Sequence, residues 1–263
     1  MADYVFIRKS RNKISSIIHI FLNILLGTGS IFITVLSGSW LIGLILVLIS
    51  KWRIFAVRPR FWFLNLKSNL VDLITGASFV LLAYCYSGEI LPIHFILAAL
   101  YVLWLVLFKP LTSETGTIIQ SLFATFFGTT SAILLTASLD PIVLVLVEFL
   151  IGYSACRHLL SQKSEGDFTL STLVFGLIFA ETALLSSFWS ILYPIKLVST
   201  SGIQIPQLSL ILTIAAFSFF KIYCSIEKHD GKISYSDVAP PAIFGVLTIA
   251  IIVLAFSNPI FNI

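Results

Sequence analysis

Three carboxylates, Asp72, Glu148 and Glu181, lie inside or at the edge of long apolar runs. If those runs cross a bilayer, each ionisable group costs about 2.5 to 3.5 kcal/mol on insertion scales and needs a function or a partner. Glu148 lies seven residues after Pro141, and Glu181 nine before Ser190. At 1.5 Å per residue they sit roughly 10 and 13 Å from the same end of two consecutive antiparallel helices. Matched depth leads to the expectation that they face one another as one titrating pair, because two adjacent carboxylates in low dielectric do not both ionise. That is the chemistry of a proton-coupled transporter or a cation site. The competing expectation is that each is neutral or hydrogen-bonded and fixes helix packing. Small residues support close approach there: Gly152 and Cys156 follow Glu148 on its own face, and Gly176, Ala180 and Ala183 form a stripe beside Glu181.

Asp72 presents different chemistry. It is near Asn69 and Lys67 and close in sequence to the basic stretch Lys51-Trp52-Arg53 through Arg58-Pro59-Arg60. An interfacial salt bridge to one of these cations is the plainer expectation. The functional one is a lipid-headgroup or phosphate site made by Arg58, Arg60 and Asp72, with His19 and Asn23 on the first helix at similar depth, since clustered cations attract anionic lipid.

The run 117–138 is unusually polar for a span. Ser121, Thr125, Gly128 and Ser131 recur every three or four residues and share a face, turned either to another helix or to a water-filled cavity. With Glu148 and Glu181 on the next two helices, this face is where a permeation path is expected.

Motifs for other chemistries are missing. The chain carries no Walker loop, dinucleotide glycine fingerprint or HExxH motif. His19, His94, His158 and His229 are scattered over different segments, so neither a metal nor another cofactor is expected. Nine helices in this orientation resemble the intramembrane prenyltransferases in number, but that family's two aspartate-rich motifs are absent and Asp72 cannot replace them. The Ser37-Gly38-Ser39 triplet resembles that of an intramembrane serine protease, yet it falls at a short turn with no identifiable His partner.

The elements that hold these residues follow from composition. Of 263 residues, 58% are hydrophobic and 11% charged, with mean hydropathy +1.04, far from the roughly 25% charged residues of soluble domains. Three cysteines, Cys85, Cys156 and Cys224, lie in apolar runs, which argues against a disulfide framework. Apolar windows give spans at 17–36, 39–54, 68–87, 92–108, 117–138, 141–160, 168–190, 207–226 and 239–257. The second is the weakest, because it needs Lys51 and Arg53 to snorkel to the interface. The first follows Arg8, Lys9, Arg11 and Lys13 and is read as an uncleaved helix, since it is long enough to span and lacks a small-x-small cleavage site.

Nine spans with the N-terminus inside put fifteen of the sixteen Lys and Arg residues on the cytoplasmic side and leave only Lys196 outside, beside outer turns carrying Glu89 and Asp140. The net charge of +4 is therefore a topology signal and no sign of nucleic-acid binding. Trp52, Phe61, Trp62 and Phe63 fall at the inner interface, and Trp40, Tyr84, Tyr86, Trp189 and Tyr193 at the outer, as membrane anchors do. Pro-Ile pairs mark the outer turns at Pro92, Pro141, Pro194 and Pro259, the first two suiting the opening turn of a helix.

The sequence thus describes an all-α, polytopic membrane bundle of about nine helices, N-terminus in and C-terminus out, in the cytoplasmic membrane. A basic segment 1–16 precedes one transmembrane domain, 17–257, and an external tail, 258–263. Its leading functional reading is a transporter or permease, proton- or cation-coupled through Glu148 and Glu181. The alternatives are a non-catalytic membrane subunit or assembly protein, and then a headgroup-modifying enzyme. Expected partners are anionic headgroups of the inner leaflet and a membrane protein or second copy. A transporter should hold the two glutamates around a cavity, and a subunit should bury them dry at a helix contact.

Overall fold

The computed structural model describes residues 2–88, 90–136, 140–161, 168–188, 190–195, 203–229 and 232–255, with side chains from 15 to 254. Glu89, Lys163, Trp189, Lys196, the Pro259-Ile260 pair, the tail 258–263 and the side chains of Arg8, Lys9, Arg11 and Lys13 lie outside these. The chain forms α1 (Ala2–Ser37), α2 (Trp40–Ser50), α3 (Trp62–Ser68), α4 (Leu70–Cys85), α5 (Pro92–Leu103), α6 (Glu114–Thr136), α7 (Pro141–Leu160), α8 (Thr169–Phe188), α9 (Gln207–Lys228) and α10 (Tyr235–Ala255). Six of them, α1 from Ser15 and α6 to α10, are long and apolar enough to cross a membrane unaided. The protein is a helical, multi-pass membrane bundle.

Several expected elements differ in detail. The second span is an α2 of only eleven residues followed by a 3-10 turn, Trp52–Ile54, so it reaches roughly 16 Å. The third is entered through α3, and the segment Pro59–Ser68 meets α4 at a bend of 68°. In the fourth, α5 ends in a π-helical turn, Trp104–Phe108, closed by Lys109 N–H donating to Trp104 C=O at 2.8 Å. Helix α1 begins at Ala2 and carries the basic segment without a break into the first apolar run. Strand structure was not expected, yet Leu192–Ile195 (β1) and Ile203–Pro206 (β2) pair antiparallel, Leu192 opposite Pro206 and Ile195 opposite Ile203. Pro92 and Pro141 each occupy the opening turn of a helix, where a missing N–H leaves no bond unmade; Pro194 sits in β1 instead.

Two apolar cores meet at α6. One joins α6 to α7, α8 and α9 through Ile151, Leu159, Phe175, Phe179, Leu212 and Phe220. The other joins α1, α2, α4 and α5 through Ile31, Val47, Phe79, Val80, Tyr101 and Trp104 and reaches α6 at Ala124. The polar face of α6 is therefore packed: Ser121 donates to Ala155 C=O on α7 at 3.1 Å, and a Cβ on Gly128 would meet Ile151 and Ile74 at 3.1 and 3.2 Å. Helix α10 is the opposite case, with only 6% of its apolar window buried. Between Ser15 and Leu25 nearly every residue of α1 is exposed as well.

Helices α7 and α8 approach most closely through a reciprocal arrangement. A Cβ on Gly152 would meet Phe179 Cγ at 2.6 Å, and one on Gly176 would meet Phe149 at 3.0 Å. Each glycine is the hole for the other helix's phenylalanine, as small residues are in membrane interfaces. Gly152→Leu is expected to lower stability by about 1 to 3 kcal/mol, the usual cost of overpacking, in detergent unfolding curves; an unchanged midpoint would show that the helices separate freely.

Candidate functional site

The structure does not bring Glu148 and Glu181 together. Glu148 is 0% exposed and points from α7 into α6, where Thr129 donates to its Oε2 at 2.9 Å. Its Oε1 and the nearby Thr125 hydroxyl are buried without a hydrogen-bond partner among the described residues. Glu181 is exposed on the opposite side of α8 and shares no hydrogen bond with Glu148. The expected pair is corrected for a reason of rotation. Ala180 and Ala183 face the interior beside Phe179, so Glu181 between them is turned outward.

Around Glu181 the outer face of α8 is apolar. Leu177, Ile178, Leu184 and Leu185, three or four residues away in each direction, are 53%, 47%, 45% and 68% exposed. One carboxylate thus stands at the centre of an otherwise lipid-like stripe.

Asp72 organises a second centre where the ends of three helices converge. Lys51, just after α2, and Lys109, just after the π turn, both pair with its Oδ2, Lys109 at 2.9 Å. The Trp104 indole N–H donates to its Oδ1 at 3.3 Å. Lys51 and Asp72 are only 7% and 13% exposed, whereas Lys109 is 40% exposed. The expected headgroup trio is not assembled: Arg58 and Arg60 are exposed on the turn before α3, and Arg60 lies over the Phe61 ring at 4.6 Å. Lys67 stacks on Phe63 at 4.5 Å, and His19 is exposed on α1.

Next to this centre, Gln120 of α6 closes the end of the π turn. The two N–H groups of its Nε2 are shared among the carbonyls of Phe108, Lys109 and Leu111, at 2.7, 3.2 and 2.9 Å, groups that a helix end leaves open. The Oε1 that remains can only accept, so His158 of α7 donates to it, at 2.6 Å. The roles of Trp104, Lys109 and His158 were missed because their partners are 32 to 38 residues away in sequence. The usable signal was that Lys51, Lys109 and His158 all fall at helix ends assigned to one leaflet.

Three cavities lie near these elements. One of about 240 Å³, lined by Thr182, Leu185, Ser186, Gln207, Ile211 and Val253, opens between α8 and α9. Another of about 560 Å³ lies at the end of α9 among Glu114, Lys221, Glu227, Lys228 and Asp237. The third, about 250 Å³, adjoins Asp72 and is lined by Ser50, Lys51, Arg53, Ile54, Asn65, Asn69, Asp72 and Lys109. None of the three is lined by Glu148 or Glu181. Among the described residues no three His, Cys, Asp or Glu side chains converge as a metal site would require. No protein-family model, curated protein or solved structure matches the chain.

Proposed function

We propose that the protein is a non-catalytic membrane subunit that assembles by packing α8 against α8 of a second copy. The carrying observation is Glu181, exposed at the centre of the apolar stripe and bonded to nothing among the described residues. A carboxylate there is expensive in lipid and is retained at low cost only where a partner satisfies it. A protonated carboxyl both donates and accepts, so it is its own complement. A two-fold axis along the membrane normal also sets each residue at the depth of its own copy, which a different partner would have to match separately. Glu148, buried at the α6–α7 contact and lining none of the three cavities, accords with a subunit better than with a carrier.

The test is the mass of the protein in mild detergent by light scattering. Two chains are expected for the wild type, and for Glu181→Leu dissociation at about five- to thirtyfold higher concentration; a wild type that is a single chain at all concentrations would overturn the reading.

The orientation belongs to the same proposal: about nine crossings with the N-terminus in, in the cytoplasmic membrane. It is supported by Lys51, Lys109 and Asp72 meeting at one end of the bundle. At the other end Gln204 N–H donates to the Tyr86 hydroxyl at 2.9 Å. This requires α2 and α5 to cross despite their shortness, with the interface drawn inward beside them.

A transporter, the leading expectation from the sequence, is here the second reading, favoured by the Oε1 of Glu148 and the hydroxyl of Thr125, both without a partner among the described residues. If Glu148 relays protons, Glu148→Gln abolishes proton flux into proteoliposomes carrying an entrapped pH dye while leaving the unfolding midpoint in place. Equal flux in the variant and wild type removes this reading.

A further inference from the structure

We infer that the cavity beside Asp72 is a phosphate site, built to hold the phosphoester of an anionic lipid headgroup or of a soluble phosphoester. The inference does not depend on dimerisation through α8.

The argument starts from charge. The cavity wall carries three cations, Lys51, Arg53 and Lys109, and one carboxylate, Asp72. Both lysines converge on a single carboxylate oxygen, and the other oxygen is taken by Trp104. Asp72 therefore offsets only one of the three positive charges. The second ammonium, that of Lys109, shares its carboxylate with Lys51 and stands at the open side of the recess, 40% exposed. Three cations against one carboxylate leave the wall of the cavity net positive, which favours an anion in it. Each ammonium brings three N–H donors, so most of them are not used by Asp72. The guanidinium of Arg53 adds a planar fork suited to phosphate oxygens; the Asn65 and Asn69 amides on the same wall each donate one N–H to a backbone carbonyl, of Ile54 and Asn65.

The surroundings place the cavity at a membrane surface. The segment from Trp52 to Leu64 that borders it exposes Trp52, Phe55, Phe61, Trp62, Phe63 and Leu64, the aromatic and aliphatic side chains of an interfacial element, interleaved with Arg53, Arg58 and Arg60. A phosphate at headgroup level enters from the side. A choline headgroup would bring a further cation against three, so the site should distinguish phosphatidylglycerol from phosphatidylcholine.

The experiment is native mass spectrometry of the purified full chain with each of these two lipids. The wild type is expected to retain phosphatidylglycerol preferentially. Arg53→Gln and Lys109→Gln are each expected to weaken that retention about fivefold, and the double variant about twenty-fivefold, following the contribution of one cation near the membrane surface. Arg58→Gln and Arg60→Gln, outside the cavity, should retain it as the wild type does. Arg53 is exposed, so its substitution reports binding without a folding defect. Glycerol 3-phosphate in millimolar excess separates the sources: displacement identifies a free phosphoester as an equal occupant, and persistence identifies the lipid. Equal retention of both lipids, or variants that bind phosphatidylglycerol as tightly as wild type, would overturn the inference.

Discussion

Asp72→Ala is expected to destabilise the bundle by about 3 to 5 kcal/mol, the cost of breaking a buried ion pair by removing one partner. The loss arises less from a missing attraction than from what is left behind. Lys51, 7% exposed, would keep its ammonium in the recess with Lys109 as its nearest charged neighbour. The Trp104 indole N–H would lose its acceptor as well. Asp72→Asn leaves an acceptor for Trp104 but removes the charge, so it should recover only a small part. The decisive comparison is the double variant Lys51→Met with Asp72→Leu. Apolar groups of similar size replace buried ion pairs at little cost, so the double variant should recover most of the loss in detergent unfolding, short of what the Trp104 N–H forfeits with its acceptor, with Lys109 free to reach solvent. A double variant as unstable as Asp72→Ala would mean that the charges themselves hold α2, α4 and α5 together.

The second large effect belongs to Glu181, and its two parts have opposite signs. Glu181→Leu removes an exposed carboxylate from α8 and should ease its insertion by about 2.5 to 3.5 kcal/mol. The same change should weaken association of two copies by about 1 to 2 kcal/mol, the range found for polar contacts between model transmembrane helices. The monomer should therefore become easier to insert and harder to pair. Glu181→Gln keeps a donor and an acceptor on one side chain and should retain most of the association. Insertion efficiency in microsomes and dissociation measured by energy transfer between labelled copies read the two parts separately. Loss of both insertion and pairing in Glu181→Leu would point to a damaged fold and away from a contact.

Much of the bundle is legible in the sequence, because helix extent depends on local features. Pro141 opens α7 with Asp140 accepting from Ile142 N–H, and the apolar run then continues to Leu160 without interruption. Depth is also readable, since it grows by 1.5 Å per residue. Facing is harder to read, because each residue turns the helix by about 100° and the reference direction is a contact with another helix. Glu148 is about 40° from Gly152, and Glu181 about 140° from Gly176, the two glycines that fix the α7–α8 approach. Equal depth therefore concealed opposite orientations. The leucine and isoleucine residues three and four positions on either side of Glu181 did carry that information, as a stripe with Glu181 on it.

Other features depend on contacts remote in sequence. The bend between α3 and α4 and the short α2 bring Lys51 to Asp72 across 21 residues, and the π turn brings Trp104 to it across 32. Local propensity does not encode either distance. The pairing of β1 with β2 is likewise set by closure of the chain between α8 and α9, where Gln207 N–H donates to Ile191 C=O at 2.8 Å.

The central claim, that two copies meet along α8, is tested most directly by cysteine crosslinking in native membranes. Leu177 and Leu185 lie one turn to either side of Glu181 on its exposed face. With Cys85, Cys156 and Cys224 replaced by Ala or Ser, Leu177→Cys and Leu185→Cys should each give a disulfide-linked dimer on mild oxidation, and Phe179→Cys, on the buried face, should not. Adding Glu181→Leu should reduce both crosslinks. Crosslinks no stronger at Leu177 and Leu185 than at Phe179, or unaffected by the loss of Glu181, would contradict the account.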